Sequence, residues 1–187
     1  MMKRLVSFVF TASLVAIVGY SAAQVLNKKA DEKPDPRVKA QENATKVTAY
    51  KQKSRDNLKP YRYDGTNVTH FSYSGFTQKR EIEVLLFNGN EYRLVFNAEG
   101  ATKPLDIEIY DKPSDNQGRV KLHEVKSVTG QENISIQTDV LNAKYKELKN
   151  SKDVVLKRIY VDYIISANDT REPASGFMVL TYGYKNV

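Results

Sequence analysis

Two pairs of carboxylates stand two residues apart in stretches where apolar and polar residues alternate: Glu81 with Glu83, and Asp106 with Glu108. On extended backbone, residues i and i+2 share a face, so each pair projects to one side of a strand. Two carboxylates several ångströms apart are what a glycosidase uses, one as acid and the other as nucleophile or base. The interleaved residues are apolar, however: Ile82, Val84 and Leu86 in one stretch, Leu105, Ile107 and Ile109 in the other. The acids therefore occupy the outward side of strands whose inward side is buried, and a solvated polar face is the plainer reading.

Other reactive residues are sparse. His70 lies in Val68-Thr69-His70-Phe71-Ser72-Tyr73 and His123 in Lys121-Leu122-His123-Glu124, and neither has a second histidine at metal-ligand spacing. The chain has no cysteine and two histidines, which excludes disulfides, thiolate chemistry and most histidine-rich metal centres. Ser72, Ser114 and the other serines lack the Gly-x-Ser-x-Gly elbow of a hydrolase. Asp111, Asp115 and Asn116 carry the oxygen ligands that calcium takes, but not at EF-hand spacing, and a turn accounts for them. The nine glycines are scattered at turns, so no phosphate-cradling loop is present. Catalytic, metal and cofactor sites are all left unassigned.

Twelve tyrosines and no tryptophan complete the inventory. Tyrosine joins an apolar ring to a hydroxyl, so Tyr160, Tyr182 and Tyr184 are the candidates for a partner-binding surface, with half-buried strand positions as the alternative. A carbohydrate platform would use such rings, usually together with tryptophan.

The elements that must position these residues follow from periodicity. From Pro60 onward the pattern has period two, in short runs set apart by turn residues. Expected strands are Val68 to Tyr73, Glu81 to Leu86, Glu91 to Phe96, Leu105 to Tyr110, one opening at Val120 and Leu122, one marked by Ile134 and Ile136, Ile159 to Ile165, and a final run from Phe177 to Tyr184. The last is apolar on both sides, as a central strand is. The second and third read as a hairpin. A three-residue loop, Asn88 to Asn90, pairs Leu86 with Tyr92, Val84 with Leu94 and Ile82 with Phe96, which leaves one face wholly apolar. Val140 to Leu148 breaks the rule: Leu141, Tyr145 and Leu148 fall on one helical face and predict a short helix. Seven or eight strands in this length predict an all-β fold, an antiparallel, jelly-roll-like β-sandwich, with a closed barrel as the alternative.

Two segments precede that domain. Residues 1 to 23 join Lys3 and Arg4 to an apolar run from Leu5 to Val18 and the small residues Ser21, Ala22 and Ala23, the three parts of a secretory signal peptide. Cleavage is expected after Ala23. About 14 apolar-biased residues fall short of the roughly 20 that span a bilayer, so no transmembrane segment is expected after cleavage. Four Asn-x-Ser/Thr triplets begin at Asn43, Asn67, Asn133 and Asn168, and chance in a chain rich in Asn, Ser and Thr explains them. Residues 24 to 59 form a basic extension, flexible or partly helical. Lys33-Pro34-Asp35-Pro36 resists regular structure, and Asp35 before Pro36 is a reasonable helix cap, but Val38, Val47 and Tyr50 are too sparse for a helix that would stand alone.

Charge divides at the same boundary. The formal net charge is +7, and losing Lys3 and Arg4 leaves +5. Gln24 to Lys59 holds ten basic against five acidic residues, whereas Pro60 to Val187 is balanced at 17 each. The basicity thus belongs to the extension, which reads as a spacer or as a cationic arm for an anionic surface. With a neutral domain and only Tyr61-Arg62-Tyr63 as an aromatic and basic cluster, nucleic acid is not an expected partner.

Leu85-Leu86-Phe87-Asn88-Gly89-Asn90-Glu91-Tyr92-Arg93-Leu94-Val95-Phe96, then Leu105-Asp106-Ile107-Glu108-Ile109-Tyr110-Asp111 and the closing Gly176 to Lys185 stretch, resemble small exported β-sandwich proteins of Bacteroidetes-type bacteria, a largely uncharacterised group. The middle stretch is also similar in rhythm to jelly-roll modules appended to secreted bacterial peptidases. The resemblance spans about 100 residues and implies a periplasmic, outer-surface or secreted location and a non-catalytic role. It carries over no functional residue.

Three functions are expected in this order: a non-enzymatic exported binding or accessory protein that docks to an envelope protein or an anionic surface component; a carbohydrate-binding module; and a hydrolase with an unrecognised site.

Overall fold

The computed structural model describes residues 36–168 and 174–186. The expected export signal, its cleavage point after Ala23 and the start of the extension lie outside the described residues. The chain divides into two compact units, Met1–Glu42 and Asn43–Val187. In the first, the described residues are the opening of helix α1, Pro36–Leu58, which starts with its proline at the first helical position.

Eight strands build two four-stranded sheets: β1 Arg62–Ser72, β2 Gln78–Leu85, β3 Asn90–Asn97, β4 Leu105–Tyr110, β5 Lys121–Val125, β6 Ile134–Gln137, β7 Arg158–Ile165 and β8 Ser175–Asn186. Helix α2, Thr138–Lys149, separates β6 from β7. The first sheet has the order β1-β8-β3-β6 and the second β2-β7-β4-β5. Every pairing is antiparallel, and β4 with β5 is the one pair consecutive in sequence. This interleaving is the jelly roll, two Greek keys folded over one core.

The hairpin expected from β2 and β3 does not form. β2 pairs with β7, placing Val84 opposite Ile159, while β3 lies in the other sheet with Leu94 opposite Tyr182 on one side and Ile136 on the other. The reason is geometric. Alternation reports which side of a strand meets the core, but a companion apolar strand satisfies that pattern equally from beside it or from across the core. The faces themselves are as expected: Val84, Leu86, Tyr92, Leu94 and Phe96 are all buried in one cluster. Gly89 takes the left-handed conformation at the turn, with φ +78.

The core is filled alternately by the two sheets. Leu105, Ile107 and Ile109 of β4 and Ile159, Val161, Tyr163 and Ile165 of β7 meet Leu94 and Phe96 of β3 and Met178 and Leu180 of β8. Phe96 and Tyr163 touch edge to face across the layers, with centroids 6.4 Å apart at 87°. Each such side chain contributes about 1.5–3 kcal/mol through burial, and this cysteine-free domain has no cross-link to add.

Strand β8 is buried on both sides, as its continuous apolar run predicts: Met178 and Leu180 face the core, while Phe177, Val179 and Thr181 are covered on the outer face. Helix α1 lies against that outer face. Tyr50 stacks on Phe177, and Leu58 joins Tyr61 and Val95 in a second apolar cluster. Gly183 permits the approach, since a Cβ there would lie 2.1 Å from the Arg62 carbonyl oxygen and 2.7 Å from the Leu58 side chain. The helix is stable because it is docked, although its own sequence is polar nearly all round.

Helix α2 closes one end of the sandwich. The Tyr92 backbone N–H donates to Thr138 Oγ1 at 2.8 Å, and Asn150 ends the helix in the left-handed conformation at φ 47. Leu141 is buried and Tyr145 packs on the core, but Leu148, expected on the same face, is exposed. Among the described residues, no helix is long and apolar enough to cross a membrane.

Candidate binding cleft

A cleft of about 440 Å³ opens where the C-terminal end of β1, the first residues of β8, the β3–β4 loop, the start of β2 and helix α1 converge. That volume is in the range of small-molecule sites. Its wall is a row of three rings. Phe177 is the centre, with the Tyr50 ring 5.6 Å away on one side at 26° and the His70 ring 5.7 Å away at 42°. Phe177 is buried and fixed by its backbone N–H, which donates to the Gly100 carbonyl at 3.1 Å. Asn43, Lys46, Ser72, Gln78, Arg80, Glu99, Thr102 and Ser175 supply polar groups around the rings.

The floor depends on a close backbone approach. A Cβ at Gly176 would sit 2.8 Å from the Phe71 ring, 2.9 Å from the Tyr73 hydroxyl and 3.0 Å from the Gly100 carbonyl oxygen. The Tyr73 hydroxyl accepts from the backbone N–H groups of Thr102 and Lys103 at 2.9 and 3.1 Å, anchoring the β3–β4 loop, while its ring meets Phe71 edge-on at 5.4 Å. On the opposite side, Gln78 Nε2 donates to the Ser72 carbonyl at 2.7 Å and to Ser74 Oγ at 2.9 Å. The amide oxygen of Gln78 is thereby turned to Arg80, whose Nη2 donates to it at 3.4 Å.

Lys53 ties the helix to the loop, reaching Glu99 at 2.9 Å and Glu132 at 3.1 Å. Its ammonium pKa is raised by the hydrogen bond to Glu99 first and that to Glu132 second. Partial burial alone would raise the Glu99 carboxyl, but hydrogen bonds from Asn97 and Lys53 outweigh it and hold the group below the usual carboxylate range.

Residues singled out by sequence scatter across the fold. Among them, His70 and Ser72 line the cleft, whereas His123 lies on β5 in the second sheet, opposite Ile109. Tyr160, Tyr182 and Tyr184 do not converge. Tyr160 is on β7 with its hydroxyl donating to Glu83 at 3.3 Å, while Tyr182 and Tyr184 are on β8 in the other sheet, packed against the core. Tyr184 lies 5.9 Å from the Tyr92 ring. Tyr61 and Tyr63 are covered by the protein's own cations, Arg93 over Tyr61 and Arg55 over Tyr63, each at 4.3 Å.

The carboxylate pairs are brought together on the outer face of the second sheet, with two further acids, Asp162 and Glu124, that sequence alone did not single out as candidates. Glu81 and Glu108 both stand opposite Asp162, and Glu108 opposite Glu124, so four acids form a row across four strands. Asp162 is 1% exposed and receives Arg119 Nη2 at 3.0 Å, with Lys79 at 3.7 Å. The Arg119 guanidinium lies 3.4 Å over the Tyr110 ring, and Lys121 pairs with Glu108 and Glu124. The Glu81 carboxyl is pushed up, first by burial and then by the Asp162 charge. Glu83 pairs with Arg158 at 2.7 Å, and Asp106 accepts the Ser127 N–H at 2.7 Å. The row is an ion-pair network gathered around Arg119, Lys79 and Lys121.

The Asp111 loop is likewise consumed internally. Asp111 Oδ1 accepts the Val120 N–H at 2.7 Å, Oδ2 meets Lys149 at 3.3 Å, and Asn116 Oδ1 accepts the Gly118 N–H at 2.9 Å. Among the described residues, no group of three or more His, Cys, Asp or Glu is placed to hold a metal ion.

No family model and no curated protein matches the chain. Among solved structures, it is similar to TmCBM61 in complex with β-1,4-galactotriose, at 14% identity and a TM-score of 0.31, over 70% of this chain and 90% of that one. The strand order β1-β8-β3-β6 and β2-β7-β4-β5 is itself that of a jelly roll.

Proposed function

We propose that this protein is an exported, non-enzymatic binding module that holds a saccharide in the cleft beside helix α1. The observation that carries this reading is the row Tyr50, Phe177 and His70 bordering a cleft of about 440 Å³ whose remaining lining is polar apart from Phe71, Gly100 and Gly176. A sugar ring presents apolar C–H faces and a rim of hydroxyls, each both donor and acceptor. Aromatic rings take the faces, and amide, hydroxyl and guanidinium groups such as those of Asn43, Thr102 and Arg80 take the rim. Export is supported by the basic, apolar and small-residue order of residues 1 to 23, and predicts a mature chain whose intact mass begins at Gln24.

The test is a glycan array spanning neutral and acidic oligosaccharides, read with the full mature chain and with Tyr50→Ala and His70→Ala. Binding to at least one glycan that both substitutions weaken by about ten-fold or more supports the cleft. An array silent for the wild type rejects it, as does binding indifferent to both substitutions.

A second reading, docking to an envelope protein or an anionic surface component, is favoured by α1, where Lys46 and Lys51 sit on a helix exposed over most of its first half. Salt-sensitive sedimentation with native envelopes, unchanged in Tyr50→Ala, would favour this reading over the first.

A further inference from the structure

We infer that the saccharide taken by the cleft is an acidic one, with its carboxylate held by Arg80 and Lys46; this rests on the saccharide reading above. The cleft is lined by Lys46 from α1, His70 from β1 and Arg80 from β2, against one carboxylate, Glu99. Glu99 is already spent: Lys53 reaches its two oxygens at 2.9 and 3.0 Å, and Asn97 Nδ2 donates to it at 2.8 Å. Among the described residues, neither Lys46 nor Arg80 forms a salt bridge, although Glu42 stands one helical turn before Lys46. Elsewhere on the same domain Lys79, Arg119, Lys121, Arg158 and Lys185 are each paired with an acid.

Arg80 is also positioned. Its hydrogen bond among the described residues is to the amide oxygen of Gln78, a neutral acceptor oriented by the two hydrogen bonds that the Gln78 amide nitrogen donates to the Ser72 carbonyl and to Ser74 Oγ. A guanidinium steadied at one nitrogen keeps its remaining donors for a planar, doubly accepting group, and a carboxylate is the complementary shape. Lys46, from a separate element, adds a point charge on a flexible stem. A uronic acid carries its carboxylate on the sugar ring itself, so one residue of the ligand can meet the aromatic row and the cationic pair together. A partly enclosed site strengthens that attraction relative to open water.

The test uses a panel of uronate oligosaccharides, each measured by titration calorimetry beside its carboxyl-reduced counterpart, on the full mature chain. At least one acidic member should bind about ten-fold more tightly than its reduced partner. The preference should shrink to about two-fold or less in Arg80→Gln and fall when salt rises from about 0.05 to 0.5 M. Arg80 is exposed and lies at the start of β2, and unchanged thermal unfolding of the variant confirms that its fold is intact. Equal affinity for both members of every pair, abolished by Tyr50→Ala, overturns the acidic ligand and leaves the saccharide reading standing. A preference that survives Arg80→Gln overturns the assignment of the carboxylate. Silence of every sugar, charged and neutral, overturns both readings.

Discussion

Tyr50 stacks on Phe177 with ring centroids 5.6 Å apart and planes 26° from parallel, and this one contact both docks helix α1 on β8 and builds the wall of the cleft. Stability and binding are therefore coupled at this position. Tyr50→Ala should lower unfolding stability by about 2 kcal/mol, the lost stacking and burial together. Thermal unfolding followed by circular dichroism should show a midpoint lower by about 3–8 °C while the β-sheet spectrum is retained. Tyr50→Phe, which keeps the ring, should restore the midpoint.

Gly183→Ala should be more damaging than the size of a methyl group implies. The new Cβ would stand 2.1 Å from the Arg62 carbonyl oxygen, which is backbone and cannot swing aside. The expected cost is about 2–4 kcal/mol in urea unfolding. Gly75→Ala has no atom within 4 Å of its added Cβ and should change stability by about 0.5 kcal/mol or less.

Tyr163→Phe should leave stability unchanged or raise it by about 1 kcal/mol. The Tyr163 hydroxyl is fully buried in the core, burial pushes its pKa far up, and among the described residues it has no hydrogen-bond partner. Removing the oxygen removes an uncompensated polar atom while the ring keeps its contact with Phe96. A clear loss of stability in urea unfolding would show that the hydroxyl has a partner.

The helix clamp should be acid-sensitive. The Glu99 pKa is lower in the folded chain than its ordinary value of 4.5, so the group contributes stability that is complete above that value and lost as pH falls through the folded pKa. Urea unfolding from about pH 5 to 3 should therefore show a smaller pH slope in Glu99→Gln than in the wild type. Tyr92 gives the opposite sign at the alkaline end. Burial pushes it from 10.0 up to about 12, so its contribution is complete below 10 and declines as pH rises toward 12.

The strand faces were legible because a period of two is a local property: Leu105, Ile107 and Ile109 declare their side of β4 without reference to any partner. The pairing was not, because the jelly roll joins distant segments. Val68 stands opposite Val179, and nothing near either residue encodes the other. Helix α1 was visible only as a marginal helix because its docked face is thin: Tyr50, the small buried Ser54 and Leu58 meet an outer sheet face that is itself shallow at Gly183. The cleft was hidden for a similar reason. His70 stood out as one of two histidines, but Gln78, Arg80, Glu99 and Phe177 are ordinary residues in their own segments and acquire meaning only when five separate segments converge. The tyrosines chosen by type, Tyr160, Tyr182 and Tyr184, share chemistry but belong to opposite sheets.

The central claim is that a sugar occupies the cleft beside α1, and amide chemical-shift mapping tests it most directly. Titrating the ¹⁵N-labelled protein with the best ligand from the array should shift the amides of Tyr50, His70, Gly100, Thr102, Gly176 and Phe177, and leave those around Asp162 and Arg119 unmoved. Shifts confined to the outer face of the second sheet, around Glu81, Asp162 and Glu108, would contradict the account and place binding on the carboxylate row instead.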